Sequence, residues 1–200
     1  MESERFIQNE RFSGQDWALD EVERVRYEDC SFHDVDWSEA RLVGCTFSSC
    51  EFGNVRFNAA VLERCAILQS VLQRCSFFDA TLTDCKLTGS QFVECGLRPL
   101  TIEGGDWAFV ALRGQNLAGA KLGGLRLRDA DLMGADLSRV DLRGADLANA
   151  RLADAVLTGA DLRGANLEGV ALREVSIAGA TIDLAQAALF ATAYGAKVSA

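Results

Sequence analysis

Seven cysteines and one histidine are the side chains of this 200-residue chain best suited to nucleophilic or metal chemistry. The cysteines stand at 30, 45, 50, 65, 75, 85 and 95, all separated by multiples of five, and no CxxC pair occurs. A zinc site needs ligands that converge, usually from such a pair. Even spacing instead puts all seven thiols in one column, as small buried hydrophobes kept reduced. His33 directly follows the apolar Phe32 and reads as a surface residue. With a single histidine outside that column, no Ser–His–Asp or Cys–His set assembles. No phosphate-cradling GxxxxGK[ST] or GxGxxG stretch is present. The expectation is a protein with no catalytic residues, no metal and no cofactor, hence not an enzyme.

A second series is acidic. Asp131, Asp136, Asp141, Asp146 and Asp161 also recur in steps of five. Such carboxylates either bind turn amides or present charge to a basic partner. The net charge is −9, a sign that excludes direct non-specific binding of nucleic acid. Residues 1–100 hold 17 acids against 10 bases, whereas residues 121–200 hold 10 against 9. The negative excess therefore belongs to the N-terminal half.

The element that positions both series is a period of five. From Ile7 to Ile182 every fifth residue is apolar, 36 positions in one unbroken frame. A period of five fits neither a helix nor a strand alone. It requires a short strand and a corner, repeated. Two residues before each central residue stands a small one, such as Cys45, Val55, Ala60 or Ala135. Residues two apart on a strand point the same way, so one large and one small side chain per pentad face inward. Pairs such as Arg143-Gly144 and Thr158-Gly159 supply the corners. Aromatic central residues crowd the N-terminal half, which predicts a wider and less regular coil there. Around Pro99, Leu100 and Gly105 occupy the small column, a local kink or a hinge.

The runs Ala130-Asp131-Leu132-Met133-Gly134, Ala145-Asp146-Leu147-Ala148-Asn149 and Ala160-Asp161-Leu162-Arg163-Gly164 resemble the A(D/N)LXX motif of the pentapeptide-repeat family. The resemblance implies an all-β solenoid, a right-handed quadrilateral β-helix with four pentads per coil. Thirty-six pentads then give about nine coils and, at ~4.8 Å per rung, a rod roughly 43 Å long. Residues 1–182 are expected to form this β-helix and 183–200 a capping and dimerisation helix.

That helix begins at Asp183, an N-cap with Gln186 three residues on, and stops at Gly195. It is apolar nearly all round, so one side covers the last coil and the other, anchored on Phe190 and Tyr194, is left bare. Either it caps a monomer, or it forms a twofold contact through Leu184, Ala187, Phe190, Ala191 and Tyr194.

The Cys95-Gly96-Leu97-Arg98-Pro99-Leu100-Thr101 segment and the tail from Ala180 to Val198 are similar to the DNA gyrase-interacting, Qnr-type branch of the family. This implies a homodimer joined through the C-terminal ends, a rod that mimics B-DNA and inhibits DNA gyrase, with topoisomerase IV as a second candidate target. Protection from quinolone-type poisons follows from the same implication. Duplex DNA of ~43 Å carries about 25 negative charges, far more than this chain, so mimicry must work through local patches. Asp131, Asp136, Asp141, Asp146 and Asp161 are the expected partner-facing carboxylates. The rival readings are a rigid interaction scaffold for an unrelated protein, or a self-resistance factor of an antibiotic producer. No apolar run approaches a membrane span, and the first ten residues carry no apolar signal-peptide core, so a cytoplasmic location without membrane contact is expected.

Overall fold

The structure, a computed structural model, describes residues 5–199. Met1–Glu4, part of the signal-peptide reading, and Ala200, the last residue of the tail, lie outside these. Every parallel pairing joins residues twenty apart, from Arg5 with Val25 to Asp161 with Thr181. One coil is therefore four pentads, and the chain is an all-β solenoid with one short C-terminal helix. Four walls result, here called the Tyr27, Phe32, Trp37 and Leu42 walls after their second-coil central residues.

Three walls carry named strands in the N-terminal half. The Tyr27 wall stacks Arg5–Gln8, Val25–Glu28, Thr46–Ser48 and Ala66–Leu68. The Phe32 wall stacks five strands from Arg11–Ser13 to Gln91–Val93. The Leu42 wall stacks five from Glu21–Glu23 to Leu100–Glu103. The Trp37 wall, and every wall beyond Glu103, is joined by single bridges such as Asp16–Asp36 and Asp106–Arg126.

The residue before the central position contributes to the change. Where it is Asp or Asn, its carboxylate or amide oxygen accepts the N–H two residues on. Asp36 takes Ser38 at 2.9 Å, Asn116 takes Ala118 at 3.1 Å, and Asp161 takes Arg163 at 3.2 Å. The corner then closes as a β-turn, for example Ala40 N–H to Trp37 O at 3.2 Å and Ala135 N–H to Leu132 O at 3.1 Å. Regular strands thus lie in the N-terminal half, where lesser regularity was expected. The acid of the ADL motif favours the turn but does not alone decide it: Arg56, Ser76, Lys86 and Ala111 precede central residues whose corners close in the same way, as in Ala60 N–H to Phe57 O at 3.1 Å.

The core has two textures. Below Pro99, rings stack at the rung spacing: Trp17, Trp37, Phe57 and Phe77 follow one another at 5.1, 5.4 and 4.8 Å. Phe12, Phe32 and Phe52 do the same at 5.0 Å. Above, Leu112 to Leu162 fill the tube, all essentially without exposure. Six of the seven cysteines are buried and Cys95 is half-buried. Their thiols donate to main-chain carbonyls, as Cys65 Sγ does to Leu42 O at 3.3 Å. Ser70 and Ser90 occupy the same column and bond Leu68 O and Ile67 O.

The soft spot is continuous. The Arg98–Pro99 peptide is cis, and Pro99 O still accepts Asp79 N–H at 2.7 Å. Gly105 is required there: at φ +111° an added Cβ would lie 2.2 Å from Cys85 O.

Helix α1 spans Leu184–Ala193. Its capping box forms as expected, with Gln186 N–H to Asp183 Oδ1 at 3.0 Å and Asp183 N–H to Gln186 Oε1 at 3.1 Å. Gly195, at φ +91°, and Ala196 close a Schellman-type end on Thr192 O and Ala191 O. No helix among the described residues is long and apolar enough to cross a membrane.

Candidate partner-binding surface

All five candidate aspartates sit at the start of a wall with partial exposure, and each is already engaged. Asp131 accepts Met133 N–H at 3.2 Å and is flanked by Arg113 at 3.3 Å and Arg151 at 3.1 Å. Asp141 pairs with Arg143 at 2.7 Å, Asp146 with Arg128 at 3.3 Å, and Asp161 with Arg163 at 2.6 Å. Asp136 bonds both the backbone N–H and the hydroxyl of Ser138. The turn role and the charge role are therefore combined in the same side chains. Several arginine partners come from a neighbouring coil, 18 residues before or 20 after, so no local sequence pattern marks them.

The contacts of Asp136, Asp141, Asp146 and Asp161 favour the ionised carboxylate. The Arg143 guanidinium beside Asp141 brings its carboxyl down to about 2, and Arg56 does the same for Asp36. Asp161 is lowered by Arg163, and Asp136 by Ser138. Asp146 is lowered although partial burial opposes it, because Ala148 N–H and Arg128 favour the anion. A carboxylate lowered in the folded state stabilises the fold above its unfolded pKa and loses that contribution as pH falls through its folded one. The melting midpoint is therefore expected to stay level from pH 8 to pH 5 and to decline from about pH 4 toward pH 2. Circular dichroism melts across that range measure it; a decline complete by pH 5 would contradict these ion pairs.

The N-terminal half differs. On the Phe32 wall, Asp34, Glu51 and Glu94 enter none of the ion pairs found among the described residues, and the same holds for Asp20, Glu39, Asp79 and Asp84 at other corners. Residues 1–100, with 17 acids against 10 bases, also carry most of the net negative charge.

At the other end, α1 presents Leu184 at 90% exposure and Tyr194 at 66%, with Leu189 partly open and Ala187 and Ala191 half-buried between them. Phe190 turns the other way: it is 9% exposed and packs on the end of the solenoid, not on the outer side where it was expected. The reason is Gln186, one turn earlier on the same helix face. Its amide is buried and donates to Leu162 O and, at 3.0 Å, to Ala165 O, so it plugs the last coil and sets Phe190 inward with it. Its place in the capping box was legible in the sequence; its second role as a plug was not. Arg173 Nε bonds Ala193 O and pins the helix C-terminus.

A family model described as pentapeptide repeats matches residues 28–64, 112–149 and 150–185, with eight copies. The chain belongs to the pentapeptide-repeat family. Among curated proteins it is similar to the pentapeptide repeat protein MfpA of Mycobacterium tuberculosis, 38% identical over 113 residues, which is 54% of this chain and 51% of MfpA. The chain thus spans about half the length of this curated relative. Among solved structures, a trypsin-treated form of QnrB1, a plasmid-mediated fluoroquinolone resistance protein, aligns with a TM-score of 0.86 at 20% identity, covering 99% of this chain and 100% of that trypsin-treated chain. HetL, involved in heterocyst differentiation regulation in Nostoc sp. strain PCC 7120, aligns at 0.54 and 19% identity, covering 89% and 87%. At these identities the likeness establishes a common fold.

Proposed function

We propose that this pentapeptide-repeat protein is a non-catalytic, cytoplasmic mimic of B-DNA that binds and inhibits DNA gyrase and protects it from quinolone-type poisons. The observation that carries the reading is the 38% identity to MfpA over 113 residues. The fluoroquinolone-resistance role of the fold-mate QnrB1 and the uninterrupted twenty-residue register support it. The solenoid is read as a right-handed quadrilateral β-helix of about nine coils over residues 1–182. Residues 183–200 join two copies, outwardly through Leu184, Ala187, Ala191 and Tyr194 with Phe190 beneath them. Asp131, Asp136, Asp141, Asp146 and Asp161 serve as contact points that exchange their own arginines for basic groups of gyrase. The unpaired acids of the N-terminal half draw the partner in.

The test is a gyrase supercoiling assay with rising protein, with and without a fluoroquinolone. The expected result is inhibition at micromolar protein or below, together with less drug-trapped cleaved DNA. Inhibition without drug rescue would retain the mimic and remove the protective role. No inhibition would leave a rigid scaffold for another partner, a reading that HetL's different role makes concrete.

A further inference from the structure

Six of the seven cysteines are sealed inside the tube, and Cys95 alone is partly open. It stands in the small column of the Trp37 wall, one rung above Cys75 and one below Gln115. The register fixes this stacking, since Gln73 pairs with Val93 and Ser76 bridges Gly96. Gly96 N–H donates to Cys75 O at 2.9 Å and ties the two rungs together. Cys95 Sγ leans down toward the lower coil, where it donates to Leu72 O at 3.3 Å. The opening follows from missing side chains: Gly96 comes next in the chain and Gly114 lies beside Gln115, both exposed. A depression of about 370 Å³, lined in part by its chain neighbour Glu94 and its column neighbour Gln115, brings water to this side of the rung. Cys30 with Cys50, and Cys45 with Cys65 and Cys85, repeat the twenty-residue spacing, but every member of those stacks is buried.

Residues on adjacent rungs are ~4.8 Å apart at Cα, inside the roughly 4.4–6.8 Å span of disulfides. Both side chains point into the tube, so their Cβ atoms also stand about one rung apart and must close by about half an ångström to be bridged. Such a bond is strained and readily reduced again. The two thiols are not equivalent. The hydrogen bond from the Cys75 thiol favours the Cys95 thiolate and lowers Cys95 below an ordinary thiol, while the same contact, with burial, raises Cys75. Cys95 is thus both the accessible sulfur and the better nucleophile, and Cys75 keeps its proton.

We infer that Cys95 is a site of reversible oxidation by hydrogen peroxide, with Cys75 as the thiol that converts the product to a disulfide. The Cys95 thiolate attacks one peroxide oxygen. The O–O bond breaks, Cys95 becomes a sulfenic acid, and the departing hydroxide takes up a proton as water. Cys75 Sγ then attacks Cys95 Sγ; the S–S bond forms, the S–O bond breaks, and the hydroxide leaves with the Cys75 proton as a second water. The two thiols lose two electrons and one peroxide gains them. This chemistry is independent of the gyrase reading.

The test titrates hydrogen peroxide into the reduced chain and reads free thiols and intact mass in denaturant. Two of the seven thiols are expected to vanish together, with the loss of two hydrogens, and dithiothreitol is expected to restore them. Cys95→Ser is expected to lose thiols at least about tenfold more slowly. Cys75→Ser is expected to stop at the sulfenic acid, captured by dimedone on Cys95. Serine suits the small column, as buried Ser70 and Ser90 show, and a circular dichroism melt verifies that each variant is folded. Cys45→Ser breaks a fully buried stack and is expected to react like the unaltered chain. Equal thiol loss in Cys95→Ser, a disulfide between two chains, or oxygen gained by the unaltered chain without thiol pairing would each overturn the inference. Survival of all seven thiols at a dose that oxidises free cysteine in the same vessel would do so as well.

Discussion

Leu137→Lys is expected to abolish folding of the rod. Leu137 has no exposure and its N–H donates to Val156 O in the next coil, so its side chain points into a tube closed on all four sides. Truncating such a leucine to alanine costs about 2–5 kcal/mol. An ammonium placed there adds an unpaired buried charge worth several kcal/mol more. The usual stability of a folded domain is about 5–15 kcal/mol, so the sum consumes most or all of it. Because each coil rests only on its neighbours, the failure should spread along the stack. Circular dichroism should show no cooperative melt, whereas Leu137→Ala should melt cooperatively at a lower temperature. A normal melt for the lysine variant would refute the inward direction of the whole apolar frame.

Phe190→Asp is expected to unseat α1. Phe190 is the aromatic side chain by which the helix grips the end of the solenoid, and removing a comparable buried ring costs about 3–5 kcal/mol. The carboxylate would be driven into water, and the helix would have to roll or detach. The Gln186 bonds to Leu162 O and Ala165 O would go with it. The rod beneath keeps its own ladder, so the β-sheet signal should persist. Under the proposed twofold contact, light scattering should fall from the mass of two chains to one, and gyrase inhibition should weaken. An unchanged dimer mass would place the contact somewhere other than this end.

The fold was readable because the central inward position cannot be hidden: an unpaired polar side chain there would be costly, so Ile7 to Ile182 announce themselves one by one. The number of walls was less legible. Five-residue spacing is compatible with coils of different girth, and the twenty-residue register came only with the family resemblance and the structure. The surface was least legible of all. Asp131 and Arg151 are neighbours because a coil lies between them in the chain, and no local pattern marks that pairing. The side of α1 that faces the core was misjudged for a similar reason. A helix apolar all round has no preferred face to read, and the deciding contact was a polar one, made by Gln186.

The twenty-residue register has a consequence for how such a chain can change by insertion and deletion. Five residues gained or lost would leave the core intact, since the inward frame has that unit. Every residue beyond the event would nevertheless move round to the next wall, like a combination lock advanced by one stop. Glu51 and Glu94, now on one wall, would no longer share it if the event fell between them. Only a change of twenty residues keeps core and surface in phase, lengthening or shortening the rod by one whole coil. The core therefore counts in fives and the surface in twenties, and a lineage that preserves binding is confined to the coarser step.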